Sequence, residues 1–428
     1  MTATTQSTAR HHRGLAAMLA ALSAVGPFSI DAYLPSMPEI GRVFHASPFL
    51  VQQTLTAYMA PFAVMALWHG AFSDAVGRRR VTLGALALFF VASIGCALAW
   101  SIESLLFFRT MQGMTAGAGL VVGRAIVRDV LDGAEAQRLM SQITLVFAVA
   151  PAVAPVIGGW LHVWFGWRAV FCFVVLFTGG VWVVCWRSLP ETLAEERRQP
   201  MNPGFLLRSY WRVLRTPPFV LLTIAVTFNF AAVFIYIVAA PVFLIQHLHV
   251  SETGFLWLFG PSTSGIVAGA WLSGRFAGRV SRQQTLWWAY GIMIVAAVGN
   301  VVLNLLAPPG LPWSVAPIFV YFTGSALAMP SLTLMALDLF PSQRGLASSC
   351  QNFVQTAGNA VATALIAPLV WGSTLTLAIG MAVMLAVGLG GFVVHESLGA
   401  GRVSPSTLLT NASGRLEPES DFSSEVGK

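Results

Sequence analysis

Twelve apolar runs, each about 20 residues long and set apart by short polar breaks, take up most of this chain. They cover residues 14–34, 51–73, 81–99, 105–127, 139–163 and 167–186, then 219–244, 254–277, 286–306, 313–337, 346–370 and 374–394. A helix rising about 1.5 Å per residue needs about 20 residues to cross a hydrocarbon layer ~30 Å thick. Inside that layer every backbone polar group must be satisfied within the segment, which a helix does. The expected fold is therefore all-α and integral to a membrane, with twelve transmembrane helices in two six-helix halves. Charged residues make up only 10% of the 428, against about 25% in a soluble domain. That is too few to cover a water-facing surface.

The breaks divide the chain. Residues 1–13 read as an N-terminal tail, 14–186 as the first six-helix half, 187–218 as a linker and 219–396 as the second half. Residues 397–428 are rich in Ser, Gly, Pro and Glu and are expected to be disordered. Within the linker, 206–214 is amphipathic and suited to a membrane surface. Arg10 and Arg13 ahead of the first run mimic a secretory leader, but that run is too long and has many successors, so it reads as a retained span.

Net charge is +7, and its placement argues for topology rather than nucleic acid. With an even number of spans, one side receives Arg78, Arg79, Arg80, Arg128, Arg138, the linker arginines, Arg275, Arg279, Arg282 and Arg344. The other side receives Arg42 and Arg168. The positive-inside rule then puts both termini in the cytoplasm. No aromatic residues interleave with the basic clusters, as a nucleic-acid groove would require. Cys96, Cys172, Cys185 and Cys350 lie in or beside apolar runs without C-x-x-C spacing, and the histidines are scattered. Neither a metal nor any other cofactor is expected.

Asp31 is the one carboxylate well inside an apolar span, and an ionisable residue there is a functional hypothesis by default. The first span enters from the basic side and the fourth from the opposite side. Counting along each helix places Asp31 and Arg109 at comparable depth, toward the side poor in arginine. A carboxylate gains from a nearby guanidinium, so the two are expected to interact if the first and fourth helices are neighbours. A movable pair that couples to protons and a static tie between two helices both fit that placement. Ser23 lies about two turns before Asp31. Arg124 either faces the same cavity or snorkels toward headgroups beside Arg128.

A weak internal repeat supports two parallel halves. Gly70-A-F-S-Asp74-A-V-Gly77-Arg78 ends the second span, and Trp271-L-S-G-Arg275-F-A-Gly278-Arg279 ends the eighth. Five stretches are more specific: D-A-Y-L-P at 31–35, G-A-F-S-D-A-V-G-R-R-R at 70–80, R-T-M-Q-G at 109–113, A-P-V-I-G-G at 154–159, and G-W-R-A-V-F followed by L-P-E-T-L within 166–193. In this order and on these spans, the chain resembles the major facilitator superfamily. Within it, the chain is most similar to the drug-resistance branch that includes the bicyclomycin-resistance proteins.

The resemblance implies a proton-coupled antiporter in a bacterial inner membrane, acting as a monomer and exporting small amphipathic or hydrophobic compounds by alternating access. Asp31 would bind the proton and Arg109 would tune it. Gly70, Asp74, Gly77 and Arg78 would form an intracellular gate, with Asp74 meeting the start of the eleventh helix near Arg344–Ala347. Ala75 departs from the basic residue usual after that aspartate. Pro155, Gly158 and Gly159 carry the motif that the family associates with antiport, with Ala154 in place of one expected glycine. Candidate cavity residues are Tyr33, Met111, Gln112, Met114, Asn229, Phe230, Phe234 and Tyr236. Gln355 joins them, from the polar stripe Gln351, Gln355 and Asn359. The aromatic residues also suit lipid or core contacts, and the stripe also suits hydrogen bonding between helices. A metabolite exporter with the same machinery is the second reading. An integral membrane enzyme is the third, with no cluster of His, Asp or Glu to support it.

Overall fold

The computed structural model describes residues 3–131, 133–198 and 201–398. The expected disordered tail therefore lies, from residue 399, outside the described residues. Every regular element among the described residues is helical. In the first half these are α1 (Ala3–Asp31), α2 (Met37–Val43), α3 (Pro48–Val76), α4 (Arg78–Ala97), α5 (Ile102–Ala116), α6 (Ala118–Val130), α7 (Gly133–Phe165) and α8 (Trp167–Ser188). The linker forms α9 (Pro203–Leu214). The second half contains α10 (Pro217–Val238), α11 (Leu256–Phe276), α12 (Arg282–Leu306), α13 (Ala316–Asp338), α14 (Arg344–Val361), α15 (Ala367–Val370) and α16 (Thr374–Ser397).

Ten of the described stretches are long and apolar enough to cross a membrane. The two sets of six are completed by α7, apolar over Val149–Phe165, and by α11. Leu176, Val295 and Leu369 are each 70–80% exposed, as residues facing lipid tails would be.

The crossings are less regular than uniform apolar runs suggest. The first is interrupted where it matters: α1 ends at Asp31, and one 3-10 turn, Leu34–Ser36, leads into α2. Pro35 and Pro38 lack an N–H and start new turns rather than continuing the old helix. The fourth crossing is α5 and α6 meeting at Gly117. The seventh ends in a wide turn of π-helix, Pro241–His247, and the eleventh contains one, Ala362–Ile366, between α14 and α15. In α9 Ser209, Tyr210 and Val213 are buried, while Leu207 and Trp211 share an exposed apolar edge flanked by the exposed Arg208 and Arg212, a mix suited to a membrane surface.

Hydrogen bonds and ion pairs between the halves, among the described residues, lie toward the end away from the basic loops. Gln53 Nε2 donates to the Ala364 carbonyl at 3.3 Å, the Thr363 hydroxyl, which donates to the Asn359 carbonyl, lies 3.6 Å from Met59 Sδ, and His162 Nε2 lies 3.0 Å from a Glu252 oxygen. Toward the basic end the linker helix docks instead, with the Tyr210 hydroxyl donating to the Leu67 carbonyl at 2.9 Å.

Candidate functional site

The centre of the first half is a polar cluster built around a fully buried guanidinium. Arg109 has no exposed surface. Its planar group is sandwiched between the rings of Tyr33 and Tyr58, 4.9 and 4.6 Å from their centroids, a favourable arrangement for a desolvated cation. Nη1 donates to the Ser29 carbonyl at 3.1 Å, to the Ser29 hydroxyl at 3.2 Å and to Gln112 Oε1 at 3.0 Å. Nε reaches the Thr54 carbonyl at 3.5 Å, and Nη2 has no hydrogen-bond partner. Gln112 sits one turn after Arg109 on α5, and its Nε2 donates to Ser93 Oγ on α4 at 2.8 Å. The Tyr33 hydroxyl donates to Thr54 Oγ1 at 2.7 Å, because the Thr54 hydrogen is given to the Val51 carbonyl.

Asp31 closes α1 two residues beyond Ser29 and is 6% exposed. The expected ion pair with Arg109 is not present. Among the described residues no carboxylate lies within ion-pair distance of Arg109, and no hydrogen bond reaches the Asp31 carboxylate. The depth expectation holds, since Arg109 meets α1 at Ser29. The partner differs because α1 ends at Asp31, so the guanidinium meets the backbone and hydroxyl oxygens of Ser29 about half a turn earlier. Tyr58 covers one face of the guanidinium, and its hydroxyl donates to the Gly26 carbonyl of α1 at 3.3 Å. Ser23 satisfies itself by donating to the Ala20 carbonyl at 2.7 Å.

Glycines set these distances. A Cβ on Gly113 would overlap the Tyr58 carbonyl, so this glycine brings α5 against α3 one turn beyond Arg109. A Cβ on Gly158 would overlap the backbone of Ala32, next to Asp31. One on Gly159 would overlap the Glu252 carbonyl, in the opposite half. The antiport-type motif, which includes Pro155 inside α7, is thus the seam where α7 meets both α1 and the other half.

The remaining cavity candidates separate. Met111 and Met114 lie about 200° and 140° around α5 from Arg109 at about 100° per residue. They are half-buried and exposed, away from the polar cluster. In the second half, Tyr236 is buried and accepts from Asn300 Nδ2 at 2.7 Å, a bond that ties α10 to α12. Asn229 donates to the Tyr290 hydroxyl at 3.0 Å, while its Oδ1 has no partner. Phe230 and Phe234 stack on each other, centroids 5.7 Å apart. In the stripe on α14, Gln355 is half-buried, and Gln351 Nε2 and Asn359 Oδ1 are buried without partners.

At the basic end Gly77 turns the chain with φ +111°, a conformation that favours glycine. Arg78 then pairs with Asp74 at 2.5 Å and with Asp129 at 2.9 Å, and it donates to Ser73 Oγ at 2.6 Å. Glu191 caps the start of α4, accepting from the Arg78 and Arg79 amides at 2.9 and 3.3 Å, where the helix dipole favours an anion. The expected meeting of Asp74 with the start of α14 is absent. Arg344 pairs instead with Asp338, which also holds Arg282, each at 2.9 Å. Ala75 therefore leaves no gap in the pairing, because Arg78 lies one helical turn after Asp74. A Cβ on Gly70 would meet only Val121, at an ordinary contact distance of 3.9 Å.

Tyr58, Ser29, Thr54 and Ser93 were not singled out from the sequence, nor were Asp129 and Glu191 as partners of Arg78. The signal available for the first group was a polar run, Gln52-Gln53-Thr54, opening an otherwise apolar span.

A family model described as Major Facilitator Superfamily matches residues 17–363. The chain is 33% identical over 345 residues to the uncharacterized MFS-type transporter YdgK of Bacillus subtilis (strain 168), covering 80% of this chain and 85% of that one. It is 29% identical to a bicyclomycin resistance protein homolog of Haemophilus influenzae, covering 82% and 87%. A bacterial homolog of the human lysosomal transporter Spinster, solved inward-facing and unoccupied, superposes with a TM-score of 0.68 at 16% identity, over 92% of this chain and 99% of that one. Two six-helix halves packed around buried polar groups define a membrane transporter rather than an enzyme. The chain belongs to the major facilitator superfamily.

Proposed function

We propose that this protein is a proton-coupled antiporter that exports small amphipathic or hydrophobic compounds, antibiotics among them, across a bacterial inner membrane. The observation that carries the reading is a buried Asp31 carboxyl without a cation beside a buried Arg109 without a carboxylate, both on helices of one half. Leaving such charges unmatched in a membrane interior is costly, which favours a working role over a structural one. With Asp31 protonated, Arg109 stays on Ser29, Thr54 and Gln112. When the proton leaves, the new negative charge draws the free Nη2 of Arg109, and α1 shifts against α3 and α5. That shift is the step at which proton release is tied to a change of access.

The resistance role in the name of the Haemophilus influenzae relative supports the substrate class. So do Asn229, Gln351 and Asn359, whose partnerless buried amide atoms could meet polar groups of a largely apolar substrate. The basic end is cytoplasmic by the placement of arginines, with both termini there. The ties between halves at the other end, and the pairing of Asp74 and Arg344 each within its own half, support a state open to the cytoplasm. The protein acts as a monomer in lipid, with a small molecule and protons as its partners. The test is proton flux in vesicles against a panel of antibiotics and dyes. Substrate-dependent proton movement supports the reading, and substrate movement indifferent to a pH gradient contradicts it.

A further inference from the structure

His162, near the end of α7, is buried between two carboxylates of different halves. Nδ1 lies 3.1 Å from Glu39 Oε2, on α2, close enough for an ion pair but without hydrogen-bond geometry, and Nε2 lies 3.0 Å from Glu252 Oε2, in the segment before α11. Glu39 also accepts from the Trp167 amide at 3.2 Å. A neutral imidazole has one N–H and one lone pair, so one of its nitrogens would face a carboxylate with nothing to share. Only the imidazolium has a donor for each side. Other ionisable groups of the neighbouring segments are engaged elsewhere or exposed. Arg168 donates to the Ala99 carbonyl at 3.0 Å and lies over the Trp167 ring, His247 contacts the Trp371 carbonyl at 2.7 Å, and Arg42 and His249 are exposed.

We propose that Glu39, His162 and Glu252 form a second proton-binding site, a clasp that holds the two halves together at the end away from the basic loops while it is protonated. Binding one proton turns His162 from a one-sided donor into a bridge, and losing it leaves two carboxylates facing a lone pair across the seam. The clasp shares α7 with the site beside Asp31. Gly158 seats Ala32, and His162 follows four residues later, about 6 Å along the helix. Opening of the seam therefore pulls on the same element that fixes the end of α1. The inference rests on the alternating-access reading above and deepens it by adding a proton site at the outer gate.

The test uses the full chain in lipid nanodiscs, with Cys172, the exposed native cysteine, replaced by serine and spin labels at Trp100→Cys and Pro309→Cys, in exposed loops of the two halves. Inter-label distances are recorded across a series of buffers from acid to alkaline. The expected result is one short distance in acid and an added longer population in alkali. Glu252→Gln and His162→Asn should each abolish most of that pH dependence, and Asp31→Asn should leave it in place. No pH dependence in the parent, or the same dependence in Glu252→Gln and His162→Asn, overturns the clasp. Neither result bears on Asp31, whose role is read from proton-linked transport.

Discussion

Arg109 is held by shape as much as by charge. Two tyrosine rings cover its faces, and Ser29, Thr54 and Gln112 take its edge. Lysine keeps the charge but has neither the plane nor the fork. Arg109→Lys should therefore lower proton-linked efflux at least ~10-fold, which corresponds to about 1.4 kcal/mol, while the protein still inserts. Efflux assays on membranes with matched expression check this, and parental activity would mean that only the charge matters. The depth of this residue relative to Asp31 was legible in the sequence, because rise per residue fixes depth. Its partner was not, since that depends on where α1 stops, and Pro35 and Pro38 decide the stop. For Met111 and Met114 the angular spacing from Arg109 was already in the sequence, and nearness to the arginine along the chain outweighed it. Tyr58 was missed because a tyrosine in an apolar span has the same appearance whether it stacks on a cation, binds a ligand or fills a core.

At the level of elements, α7 is the piece that touches everything relevant. Its glycines seat α1 at Ala32 and the opposite half at Glu252. Gly158→Val would drive a branched side chain into the Ala32 carbonyl, and overpacking of this kind costs about 1–3 kcal/mol. The melting temperature in detergent should fall by several degrees and efflux should fall with it. An unchanged melting temperature would show that α1 and α7 are not locked there. The twelve crossings were readable because length and apolarity alone mark them. The interruptions at Gly117, Pro241 and Ala362 were not, since wide turns and kinks follow from packing against neighbours. The Asp74 loop was readable as a motif, but its partners on α6 and beyond α8 come from residues 50 to 120 positions away, which spacing does not reveal.

For the whole molecule, the two halves meet near His162, Gln53 and Thr363, and the linker helix docks at the other end. Nothing in the histidine spacing hinted at the clasp, because Glu39 and Glu252 come from opposite halves of the chain. The proposed orientation makes a direct expectation. In intact cells an impermeant thiol reagent should label Trp100→Cys, and it should label Arg279→Cys only after the membrane is opened. The reverse pattern would invert the account of which gate is closed.

The central claim is that Asp31 carries the exchanged proton. In sealed vesicles containing a pH-sensitive dye, substrate added to the parent protein should dissipate an imposed proton gradient. Asp31→Asn, with the same fold and the same insertion, should abolish that response, because an amide in place of the carboxyl neither takes up nor releases the proton. Substrate-driven proton movement at the parental rate in Asp31→Asn would contradict the account.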